Sequence, residues 1–153
     1  MAHSLLCTYI HVIFHVKTTS PVIREDDLPS LHAYLAATVW EACTGLHPQI
    51  GGTNNHVHIL CNMPKTLTVP ALVNRLKVAS HQYLGRQGDY YQYFAWQSGY
   101  GAFSVSPTNI TPVRRYIQHQ REHHRQTTPK EEYLALLHAC GIEPKEVPYL
   151  LAD

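Results

Sequence analysis

The sequence has no Cys-x-x-Cys pair; its four cysteines, Cys7, Cys43, Cys61 and Cys140, stand far apart. That spacing argues against a zinc knuckle or a disulfide framework and favours reduced thiols in a reducing compartment. No apolar run comes near the ~20 residues that a bilayer span requires. The stretch behind Met1–Leu5 has no charged leader and is interrupted by Thr8, His11 and His15. A secretory signal is therefore not expected, and a cytoplasmic protein with no membrane partner is. Charge of one sign is also scarce. Twelve Lys and Arg against eleven Asp and Glu leave a formal charge of +1, so any nucleic-acid site must rest on local arrangement. With 15% charged and 44% hydrophobic residues the chain reads as soluble and globular. There is no repeat, low-complexity tract or linker, and residues 1–153 are expected to form a single domain with a real core. What the chain does have in unusual number is histidine, twelve in all.

Residues Leu5–Lys17 are β-branched and aromatic, which predicts a strand. Asp26, Asp27 and Pro29 mark a helix start, Leu28, Leu31, Leu35, Val39 and Ala42 recur at helical spacing, and Gly45 is a stop. Ile50–Asn55 reads as a strand end and turn, leading into a strand over His56–Met63. Thr68 and Pro70 open a second helix that runs to Gly85; residues 87–99 read as a loop, and Gly101–Ser106 as a short strand. A helix capped by Asn109 or Thr111 is expected to continue to about Gln126. A last one starts at Thr128, with an acid three residues on, and reaches Cys140–Gly141. The order predicts an α+β fold: a ferredoxin-like antiparallel sheet with helices packed on one face, plus further helices at the C-terminal end. Such a sheet leaves an edge or a face free for a second copy.

Two constellations carry candidate chemistry. His56 and His58 are two apart, so on a strand both imidazoles leave one face and can meet one cation. With twelve histidines roughly one His-x-His arises by chance, and satisfied or solvent-facing histidines would give the same pattern. On the helix from Val113 to Gln126, Tyr116, His119, Gln120 and His123 fall on one side; Val113, Ile117 and His124 fall on a second, and Arg114, Gln118, Arg121 and Arg125 on a third. A packed tyrosine with polar neighbours facing water fits that arrangement equally well.

Five collinear stretches bring in a family. They are Tyr9–Thr18 (YIHVIFHVKT), Asn55–Leu60 (NHVHIL), Leu76–Ser80 (LKVAS), Trp96–Ser106 (WQSGYGAFSVS) and Tyr116–His124 (YIQHQREHH), followed by Glu131-Glu132-Tyr133. In this order, over residues 5–145, the sequence resembles the HUH single-tyrosine transposases of bacterial insertion sequences, the IS200-like family. The resemblance implies a ferredoxin-like homodimer in which the His pair, here His56 and His58, and a glutamine one turn past the tyrosine, here Gln120, hold Mg²⁺ or Mn²⁺. Tyr116 would then attack a phosphodiester of single-stranded DNA, at ends carrying hairpins, to give a 5′-phosphotyrosine and a free 3′-hydroxyl. The helices at the C-terminal end would carry that nucleophile, for its own His pair or for a partner's. The sequence departs from the family in having Asn55 where an acid usually precedes the first histidine, Val78 for a small residue, and His119 for an Asn.

The chemistry suits the residue types. A cation polarises a phosphoryl oxygen that would otherwise repel a nucleophile, and a phosphotyrosine conserves the ester so that a 3′-hydroxyl can reseal it. A phenol with an ordinary pKa of ~10 needs activation; His119 and His123 are candidates by helical position alone. Lys17, Arg75, Lys77, Arg114 and Arg115 are candidate phosphate contacts, whereas Trp96, Tyr100 and Phe103 read more readily as core or interface than as platforms for stacked bases. Two rivals remain at this level. One is a catalytically silent relative that only holds DNA hairpins; the other is a His-rich metal hydrolase unrelated to DNA, with water as nucleophile.

Overall fold

Tyr9–His15 form β1, the strand on which the molecule is assembled; its five central residues are all buried. The computed structural model of the chain describes residues 3–43, 45–123 and 126–146, and the side chains of residues 121 and 123 also lie outside that description. Two further strands, β2 (Gln49–Thr53) and β3 (His56–Asn62), form a hairpin, and β4 (Gly101–Ser104) completes a sheet of order β2-β3-β1-β4 in which every neighbouring pair is antiparallel. Between the strands run α1 (Leu28–Ala42) and α2 (Val69–Gly85). This is the expected ferredoxin-like α+β arrangement.

Alternation divides the sheet's residues between two environments. Ile10, Val12 and Phe14 of β1, with Val57, Ile59 and Cys61 of β3, join Leu31, Leu35 and Val39 of α1 and Leu72, Leu76 and Leu84 of α2 in one apolar core. Each such side chain, removed from water, contributes ~1.5–3 kcal/mol. The odd-numbered residues His11, Ile13 and His15 point the other way. The register sets Ile13 opposite His58 and His15 opposite His56, so four imidazoles share the second face.

That second face is not left free. Three helices cover it: α3 (Ile110–Gln118), α4 (Gln120–His123) and α5 (Pro129–Ala139). Ile117, Tyr133 and Leu137 are their buried apolar contacts. Gly51 makes the approach possible, because a Cβ there would lie 2.1 Å from the carbonyl oxygen of Ile117. The edges, β2 and β4, are what the sheet leaves open.

Several expectations need correction, among them the strand expected over Gly101–Ser106, which ends at Ser104. The first strand is shorter than Leu5–Lys17, and the third ends at Asn62. The helix expected to run unbroken to Gln126 is interrupted at His119, where φ −108° and ψ 27° leave the helical region and the His119 amide bonds back to Arg115 and Tyr116. Residues 124 and 125, including His124, lie outside the described residues. Asp27 stands at the start of α1 but makes no side-chain cap; its carboxylate instead accepts hydrogen bonds from Tyr91 Oη and Arg24 Nε. Thr68 and Thr128, by contrast, cap α2 and α5 as their sequence positions predict, each accepting an amide three residues on at 3.2 Å. Among the described residues no helix is long and apolar enough to cross a membrane.

Candidate active site

Three elements supply the centre of the polar patch on the second face. β3 supplies His56 and His58, both fully buried, α4 supplies Gln120 at 1% exposure, and α5 supplies Glu132 at 3%. Their inner atoms cluster. Glu132 Oε1 lies 2.9 Å from His58 Nε2 and 3.9 Å from His56 Nε2, and one ligand atom from each of the three falls within 4.8 Å of the others. Gln120 Oε1 is 3.2 Å from His56 Nε2, while its Nε2 donates to the Tyr116 carbonyl at 3.3 Å.

The outer nitrogens explain why the inner ones point inward. His56 Nδ1 meets Asn55 Oδ1 at 2.8 Å and Thr53 Oγ1 at 3.0 Å. His58 Nδ1 meets His11 Nε2 at 2.7 Å. Groups that hold the far nitrogen of an imidazole fix its tautomer and aim. Asn55 therefore orients its neighbouring imidazole although it carries no charge. Burial, reinforced by the neighbouring His58, pushes the His11 pKa down to about 3, so His11 enters this network as a neutral ring. His15 lies nearly parallel to His56, ring centroids 5.3 Å apart.

Tyr116, on α3, is half-buried, and its ring meets those of His58 and His11 edge-on at 5.8 and 6.2 Å. Its hydroxyl donates to Glu132 Oε2. One carboxylate thus touches both the phenol and the His pair. Burial raises the Tyr116 pKa well above its ordinary value, and the hydrogen bond and charge of Glu132 raise it further. On its outer side the phenol borders a 440 Å³ pocket shared with His11, Val113, Leu136 and Glu132.

The four residues singled out for chemistry, Tyr116, His56, His58 and Gln120, are thus brought together within one chain. His119 is exposed, its Nδ1 2.7 Å from the Arg115 carbonyl, and the side chain of His123 lies outside the described residues. Of the candidate phosphate contacts, Lys77 donates to the carbonyls of Gln97 and Gly99 at 2.8 and 2.6 Å and braces that loop. Arg114 donates to the His47 carbonyl, and Arg75 lies 3.8 Å from Glu41. Lys17 and Arg115 are exposed. Trp96 packs on Phe14 and Phe94 and donates to Ser80, a core role. Sequence reasoning missed Glu132 and His11. A second acid directly before Tyr133, in the stretch Glu131-Glu132-Tyr133, was the available signal for Glu132. For His11 it was the alternation that sets it beside Ile13 and His15.

A sequence model of the IS200-like transposases matches residues 4–120, which include His56, His58, Tyr116 and Gln120. The chain belongs to that family of transposases. No curated protein sequence matched. Among solved structures, the chain is similar to a candidate transposase from Deinococcus radiodurans R1, with 17% identity, TM-score 0.55, and 78% of this chain and 96% of that one covered. It is also similar to a REP-associated tyrosine transposase bound to a REP hairpin, with 8% identity, TM-score 0.54, and coverage of 82% and 72% respectively. At these identities the likeness shows the fold.

Proposed function

We propose that this chain, as one domain of residues 1–153, cleaves and rejoins single-stranded DNA at insertion-sequence ends through a covalent 5′-phosphotyrosine on Tyr116. The convergence of one phenol, two imidazoles, a carboxamide and a carboxylate inside a single protomer supports this reading. The neighbour that holds a REP hairpin favours hairpin-bearing DNA as substrate. The open edges of β2 and β4 suit a homodimer, and a cytoplasmic location gives access to DNA.

The donors suit a divalent cation. His56 Nε2, His58 Nε2, Gln120 Oε1 and Glu132 Oε1 would hold Mg²⁺ or Mn²⁺, nitrogen and oxygen ligands without thiolate. Glu132 makes the set anionic, not neutral, which strengthens capture of the ion. When bound, such an ion polarises the phosphoryl oxygen and stabilises the charge that develops on it.

The chain's own residues handle the proton. At neutral pH Tyr116 is a phenol, and its hydroxyl donates to Glu132 Oε2. Glu132 accepts that proton as the phenolate oxygen bonds to phosphorus and the bond from phosphorus to the 3′ oxygen breaks. The departing 3′ oxygen takes up a proton from water, and Glu132 returns the one it accepted to solvent. Rejoining runs the same steps backwards. Because the inner nitrogens are fully buried, one of the covering helices has to move for a phosphate to reach them.

The test is a denaturing gel of protein incubated with hairpin-bearing single-stranded DNA and Mg²⁺ or Mn²⁺. A covalent adduct is expected with the wild type and none with Tyr116→Phe or in chelator. An adduct of equal yield in Tyr116→Phe would move the nucleophile elsewhere.

A further inference from the structure

A second opening lies at the far end of β1 from Tyr116. This cleft of 370 Å³ lies between the segment that follows β1 and the first turn of α5, and its lining includes His15, Lys17, Asn55, Lys130 and Tyr133. His15 lines this cleft and His11 the pocket beside Tyr116; four residues apart on one strand, they are separated by ~13 Å at 3.3 Å per residue. α5 separates the two openings: Lys130 and Tyr133 face this cleft, while Glu132 and Leu136 face the pocket beside Tyr116.

Resting on the function just proposed, we propose that this cleft is a phosphate subsite for the DNA strand. It would hold the backbone of a nucleotide next to the one cut, between Lys17 and Lys130. Three observations carry the proposal. The wall is preformed: Val16 donates to the Asn55 carbonyl at 2.8 Å, Lys17 to that of Ala95 at 2.9 Å, and Gln97 to that of His15 at 2.8 Å. Its charge is of one sign, since both lysines line it and no acid does. Among the described residues neither lysine forms an ion pair. Two such cations facing one concavity attract a polyanion and raise its local concentration. Finally, the cleft is continuous with the chemistry, because Asn55 both lines it and holds His56 Nδ1.

The test measures binding of a fluorescein-labelled single-stranded DNA hairpin to Tyr116→Phe protein across a salt series. Releasing two phosphate contacts lowers the slope of log affinity against log salt by ~1.4. The added double change Lys17→Ala/Lys130→Ala is expected to show that loss, whereas Lys65→Ala, at a separate opening near Asn62, keeps the full slope. Equal slopes for the double variant and the Lys65→Ala control would overturn the subsite. The adduct gel with otherwise wild-type protein separates the two readings. An adduct with unchanged slopes removes only the cleft, and a lost slope without any adduct removes only the cutting reaction.

Discussion

At the scale of the residue, Glu132 joins the nucleophile to the His pair. A positioned general base contributes ~10²–10⁴-fold to a rate. Single-turnover adduct formation is therefore expected to slow by about that factor in Glu132→Gln, which keeps the shape but accepts protons poorly. An unchanged rate would remove Glu132 from the proton's path. The sequence makes half of this site legible. A strand's alternation sets His56 and His58 together, and one helical turn separates Tyr116 from Gln120. Those are local geometries, fixed by two and four residues of spacing. Glu132 depends on how α5 docks. It sits one residue past Glu131, whose amide is capped by Thr128, and the ~100° between successive helix positions turns one acid to solvent and the other into the site. His11 is hidden for a similar reason, since its role depends on the pairing of β1 with β3.

At the scale of the element, the strands and α1, α2 and α5 were legible from their periodicity, and α2 and α5 also from their threonine caps. The break at His119 was not, because it answers to the docking of α3 and α4 against β2 and not to any helix breaker in the sequence. Gly51 is where that docking is most exposed to test. A methyl group there meets the backbone of α3 at Ile117, and overpacking of this kind costs ~1–3 kcal/mol. Gly51→Ala is expected to lower the urea midpoint and, by displacing Tyr116 and Gln120 together, to reduce adduct formation more than stability. Full retention of both would show that α3 does not lie against β2.

Helix α1 carries a pH signature of its own. Burial holds the His32 pKa at about 4, below its ordinary 6.5. The unfolded chain therefore takes up a proton that the folded chain refuses. The stability at stake is fully present above pH 6.5 and is lost as pH falls towards 4, at up to ~1.4 kcal/mol per pH unit. Urea unfolding at pH 7 and pH 5 is expected to show a smaller acid loss in His32→Gln than in wild type. Identical losses would mean that His32 titrates normally in the folded chain.

At the scale of the whole molecule, Tyr116 lies beside the His pair of its own chain. If that arrangement is the working one, each protomer of a dimer is self-sufficient. Mixing the Tyr116→Phe protein with a His56→Ala/His58→Ala protein is then expected to yield no more adduct than either alone. Recovery of activity in the mixture would show that the tyrosine helix crosses to a partner's site.

The central claim is that DNA becomes bonded to one particular oxygen. Nuclease digestion of the adduct, followed by trypsin and tandem mass spectrometry, reads this directly, because cleavage after Arg115 and Arg121 releases a peptide that begins with Tyr116. A nucleotide phosphate is expected on that tyrosine. The same mass on any other residue, or an unmodified peptide alongside a genuine adduct, would contradict it.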